Sequence, residues 1–138
     1  MNARPPPRWL AMTAVWAACS SEAPDTSDTD GASDFAEVQA VFDRSCASAG
    51  CHGGPEAQTG LDLSPGQSWE GLVNVPSAQL PVLPRVLPGE PEQSYLVAKL
   101  NGTHLDLGGA GERMLSPFGL APNEFDTVRA WIAEGATR

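Results

Sequence analysis

Two cysteines and a histidine carry the most specific chemistry in this chain, in the string "RSCASAGCHGG" at residues 44–54. Four residues separate Cys46 from Cys51, and His52 follows the second thiol directly. Thiols in this relation can close a small disulfide or ligate a metal ion. They can also add across the vinyl groups of a porphyrin while the neighbouring imidazole takes the iron. That third chemistry ordinarily uses C-x-x-C-H, and the spacer here is two residues longer. Ala47, Ser48, Ala49 and Gly50 are all small, so the added length can bulge without crowding a ring edge.

The rival chemistries explain less. A disulfide closing so short a loop adds modest stability, because the gain grows with loop length, and it leaves His52 idle. Zinc would have to draw Cys46, Cys51, His52 and His104 onto one tetrahedral ion, which the adjacency of Cys51 and His52 opposes. A dithiol redox catalyst calls for C-x-x-C opening a helix after a strand, and neither is expected here.

Further along, Met114 lies on a glycine-flanked loop and can fold back over the opposite face of a porphyrin. Methionine opposite histidine raises a haem's potential and fills its coordination sphere, which suits electron transfer. The plain alternative is a methionine filling core space. His104 competes as a sixth ligand, against its reading as a surface loop residue. Arg85 and Arg113 are candidate guanidinium partners for propionate carboxylates, or else exposed arginines. No paired acids, nucleophile–base pair or phosphate loop is present, so an enzyme is not expected. The one enzymatic form left open is a haem with a free sixth position.

Several elements must position these residues. Ser33 or Asp34 can cap a helix in which Phe35, Val38, Val41 and Phe42 recur on one face, ending at Cys46. "SWEGLVNV" allows one or two helical turns that bring Trp69, Leu72 and Val73 inward. Residues 76–91 hold five prolines, which exclude a central strand or helix and predict a stiff extended loop. "EPEQSYLVAKLNG" restarts helical spacing with Tyr95, Leu96 and Leu100, stopped by Gly102. "APNEFDTVRAWIAEGA" predicts a last helix with Pro122 in its first turn and Phe125, Val128, Trp131 and Ile132 on one face. Trp131 and Phe42 are expected to pack on each other, or on a haem edge, where the terminal helices cross. So much irregular chain buries its apolar residues poorly by itself, and a flat apolar ligand would complete the core.

The first nineteen residues read as an export signal: Arg4 and Arg8, then a short apolar stretch "WLAMTAVWAAC" too brief to span a bilayer. "VWAAC" resembles the lipobox of bacterial lipoproteins, which makes Cys19 the expected lipidation site, although Trp16 stands where that pattern prefers an aliphatic residue. Residues 20–33 are rich in Ser, Asp and Thr with no bulky apolar residue, and read as a disordered acidic tether. The domain proper is 34–138. The full chain carries 138 residues and a formal charge of −9. The domain holds thirteen acidic and six basic residues, a balance that excludes nucleic acid as a partner. An exported location permits oxidised or covalently used thiols.

Over about residues 35–136 the chain resembles the small exported cytochrome c domains of bacteria, often lipid-anchored, some of which carry C-x4-C-H. The resemblance rests on "VFDRSCASAGCHGG", "GLDLS", "LVNVPS", "RVLPGEPEQSYLVAKLNG", "GERM" and "VRAWIAEGA". It implies an all-α, cytochrome c-like fold, with three to four helices and long Pro/Gly-rich loops around one covalent haem c. By the same resemblance Cys46 and Cys51 hold the haem, His52 and Met114 are its axial iron ligands, and Arg85 matches the family's "RV-x-PG" segment. Leu115 stands where the family has proline after methionine. The implied role is electron carriage to or from a periplasmic redox partner, with the membrane reached through lipidated Cys19. The competing expectation is a haem-free surface lipoprotein stapled by a Cys46–Cys51 disulfide and used for structure or interaction.

Overall fold

Asp34 opens the first helix: its carboxylate accepts the Ala36 N–H at 3.1 Å, relieving one unpaired first-turn amide. The helix that follows, α1, runs over Phe35–Ser45. The computed structural model describes residues 34–115 and 119–138. The proposed signal and tether, Cys19 included, therefore lie outside the described residues.

Three further α-helices follow: α2 over Ser68–Leu72, α3 over Tyr95–Asn101 and α4 over Pro122–Ala133. Single 3-10 turns stand at Gln58–Gly60 and Pro91–Gln93. Among the described residues there is no β-strand, only isolated bridges such as Val73 with Val86. The described residues are thus all-α with long connecting loops, as the periodicity predicts. No helix among the described residues is long and apolar enough to cross a membrane.

The core forms where α1 and α4 pack together. Val38, Val41 and Phe42 from α1 meet Val128, Trp131 and Ile132 from α4, all buried. The ring partner of Trp131 is Phe35, with centroids 5.2 Å apart and planes tilted by 38°. Phe42 and Trp131 share the buried core at the helix crossing, as expected, and Phe35, at the start of α1, supplies the ring contact to the tryptophan. Arg44 and Glu124 join the two helices at 3.0 Å on the surface, a contact worth little beside the buried faces. Past α4 the chain turns back, and the carbonyls of Ala136 and Thr137 accept the indole N–H groups of Trp69 (2.9 Å) and Trp131 (2.7 Å).

The proline-rich stretch is more organised than an extended strap. It folds back on itself, with Asn74 N–H on Val86 O (2.9 Å), Arg85 N–H on Val75 O (2.7 Å) and Ser77 N–H on Leu83 O (3.0 Å). Its prolines fall where no amide is needed. The carbonyls of Pro84 and Arg85 then accept the first-turn amides of α3, from Tyr95 at 3.0 Å and Leu96 at 2.9 Å. Those amides have no partner inside their own helix, so the loop acts as the cap of α3 and fixes its entry. The helix ends at Gly102, whose φ of 89° is the left-handed conformation that glycine adopts without a Cβ penalty.

Candidate functional site

Leaving α1, the amides of Cys46 and Ala47 both donate to Phe42 O, each at 2.8 Å. A turn from Ser48 to Cys51 follows, closed at 3.0 Å, and His52 N–H then donates back to Cys46 O at 3.1 Å. The four-residue spacer is therefore a closed bulge whose ends are stitched together, which keeps Cys46 beside His52 despite the longer spacing. Gly53 makes this closure sterically feasible, because a Cβ there would collide with the Ala47 carbonyl. Gly53→Ala is expected to cost about 1–3 kcal/mol of stability, the range for forced overpacking. A lowered urea midpoint at unchanged slope checks it.

His52 is pinned at three points. Its amide is held by Cys46, and its carbonyl accepts Leu63 N–H at 2.7 Å. Its ring Nδ1 lies 3.1 Å from Leu61 O. A carbonyl can only accept, so a ring proton sits on Nδ1, and in the neutral ring the lone pair is on Nε2. Asp62, between the two leucines, accepts amide bonds from Ser64 (2.9 Å) and Gly54 (3.2 Å). The Ser64 hydroxyl foremost, and then these amide bonds, hold its carboxyl below the usual 3.8. Its support of the segment is present above that value and is lost as pH falls through the lowered one.

Cys46, Cys51, His52, Arg85 and Met114 all line one cavity of about 320 Å³. That volume falls within the range of small-molecule and cofactor sites. Leu61, Leu63, Leu72, Leu96 and Leu100 supply its apolar wall, and Cys51, Gln58 and Thr59 stand exposed at its rim. Arg85 donates to Gly71 O at 2.8 Å and Thr59 O at 3.1 Å, tying α2 to the Gln58–Gly60 3-10 turn at the wall.

The two thiols are not bonded to each other, and they differ in setting. Cys51 is exposed, whereas Cys46 packs on the core, and burial pushes its thiol from 9.0 up to about 11, with Glu124 and Cys51 adding to the effect. On chain carrying free thiols, Cys46 should alkylate at pH 8 about 100-fold more slowly than an ordinary cysteine, following its thiolate fraction. The difference should close as pH approaches 11, and peptide mass spectrometry of timed iodoacetamide samples reads it.

Several expected participants stand elsewhere. His104 does not line the cavity; it is buried, with Nε2–H on Gly111 O at 2.7 Å and Nδ1 without a partner. Arg113 faces a separate groove with Leu120 and Phe125, its Nε–H on Leu100 O at 2.9 Å. Phe42 and Trp131 belong to the helix crossing and not to the cavity wall.

Sequence reasoning missed Tyr95, Gln79 and Lys99, which line the cavity. Tyr95 Oη donates to Gln79 Oε1 at 3.2 Å. The available signal was Lys99 itself, a charge set between Ala98 and Leu100 at a helical position that is only 5% exposed. Burial pulls its ammonium below the usual lysine range, partly countered by Glu112.

Set against protein-family models, curated proteins and solved structures, the chain has no significant match.

Proposed function

We propose that this chain is an exported mono-haem c-type cytochrome domain with a cytochrome c-like fold, carrying single electrons to or from a partner redox protein. The observation that carries the reading is the state of His52. Its Nδ1–H is committed to the Leu61 carbonyl, the bond that metal-ligating histidines make through their other ring nitrogen, which leaves Nε2 as the one available to a metal. Two free thiols, a thioether and a leucine wall share the same cavity.

The residues present fit the group. Cys46 and Cys51 would bind the porphyrin edge as thioethers, His52 Nε2 would ligate iron, and Met114 Sδ would be the second axial donor. Arg85 supplies positive charge in the cavity lining, where a carboxylate side arm can be received. Haem bound between histidine and methionine supplies a one-electron ferric–ferrous couple at raised potential.

The chain's own contribution is to hold the donors and exclude water from the leucine-lined side. It also leaves the Cys51 rim open toward a partner. Cys19 would carry a lipid anchor, with residues 20–33 as the tether lifting the domain from the membrane. A potentiometric titration of matured protein tests the role: a reversible one-electron transition with a ferrous form indifferent to carbon monoxide is expected. A ferrous form that binds carbon monoxide readily would contradict an electron-carrier assignment.

A further inference from the structure

Ala110, Gly111 and Glu112 present three consecutive backbone carbonyls to two buried side chains. Lys99 Nζ donates to Ala110 O at 3.0 Å and to Glu112 O at 2.6 Å. Between them, His104 Nε2–H donates to Gly111 O at 2.7 Å. Both side chains are withdrawn from water, Lys99 at 5% exposed and His104 at 1%. The main chain of Lys99 adds a further tie, since its carbonyl accepts Met114 N–H at 3.1 Å. Tyr95 Oη accepts Ala110 N–H at 3.4 Å.

A segment reading "LGGAGERM" has little intrinsic order, and its glycines lose more conformational freedom on folding than any other residue. Something must offset that loss if the methionine is to keep one position. An ammonium is costly to bury unless hydrogen-bonded, and Lys99 forms no ion pair among the described residues. Its charge is met by the peptide carbonyls of the methionine loop. Charge-assisted bonds of this kind are roughly twice as strong as neutral ones. Lys99 stands on α3, which the proline loop caps, so the anchor is itself rigid.

Resting on the reading of Met114 as an axial donor, we propose that Lys99 and His104 are positioning residues. Together they clamp the 110–112 backbone and hold the Met114 thioether at the cavity wall. His104 thus serves the methionine and does not compete with it.

Matured, haem-loaded protein tests this in three readouts: hydrogen exchange over residues 109–114, reduction potential, and carbon monoxide binding by the ferrous form. Met114→Ala serves as the reference. Lys99→Met should speed exchange by roughly 10- to 100-fold, shift the potential toward that of Met114→Ala, and admit carbon monoxide. Lys99→Arg, which keeps N–H donors for two carbonyls, should recover wild-type behaviour. His104→Gln keeps a donor and should stay near wild type, whereas His104→Leu should follow Lys99→Met. The histidine pair decides the matter if Lys99→Met does not accumulate as folded protein.

Wild-type exchange and potential in the donor-less variants overturn the proposal. Faster exchange at an unchanged potential, with Met114→Ala effective, makes the residues merely structural and overturns it too. If Met114→Ala is itself silent, the axial assignment is what fails. Exchange then decides the clamp alone, upheld as backbone support if faster and overturned if unchanged.

Discussion

Met114→Ala should lower the reduction potential by a sizeable part of the roughly 0.8 V that axial ligation spans across haem proteins. It should also turn a carbon monoxide-indifferent ferrous protein into one that binds the gas. Met114 is the thioether on the cavity wall, half-buried and packed against the core cluster. His104, the other donor considered for that role, is turned away, its Nε2–H spent on the Gly111 carbonyl. Removing the methionine therefore leaves His104 unready to replace it. An unaltered potential and spectrum would show that Met114 only fills space. Fold stability should fall by less than the about 2–5 kcal/mol of a fully buried Met→Ala change, and measurements belong at low temperature, on protein whose circular dichroism matches wild type.

The second large effect concerns the thiols, which are not equivalent. Cys51→Ser should yield a chain that still holds its pigment through one thioether. Its ferrous absorption should shift to longer wavelength, because one vinyl group stays in conjugation. Cys51 is exposed at the rim, so the fold should tolerate the change. Cys46→Ser touches the core edge and exchanges a half-buried thiol for a hydroxyl, which should cost stability as well, up to about 1–3 kcal/mol for an imperfectly paired hydroxyl. With both replaced, no pigment should survive denaturation. If the spectrum of Cys51→Ser is indistinguishable from wild type, Cys51 takes no part in attachment.

The helices were legible because their apolar residues repeat at helical spacing. Val38, Val41 and Phe42, and likewise Val128, Trp131 and Ile132, are buried where the pattern puts them. The candidate site was legible in Cys46, Cys51, His52 and Arg85, since residue type and spacing carry that signal locally. Met114 was legible only as a thioether in a flexible setting.

What the sequence hid is long-range. The fold-back of residues 73–86 is held by main-chain bonds, which side-chain patterns do not encode, and prolines there suggested only stiffness. The two loop carbonyls on the Lys99 ammonium come from residues 110 and 112, which the helical pattern around Lys99 does not reveal. His104 looked like a donor for iron because nothing local reveals that its ring faces Gly111. The ring contact of Phe35 with Trp131 comes from the crossing of α1 and α4, which no single helix specifies.

The central claim is that Cys46 and Cys51 bind a porphyrin covalently. Intact-mass measurement under denaturing conditions, on protein exported alongside a cytochrome maturation apparatus, tests it most directly. The predicted result is a mass increased by one haem, on a band that stains for haem peroxidase activity after denaturing electrophoresis. A colourless chain lighter by two hydrogens, with Cys46 and Cys51 joined to each other, would contradict it.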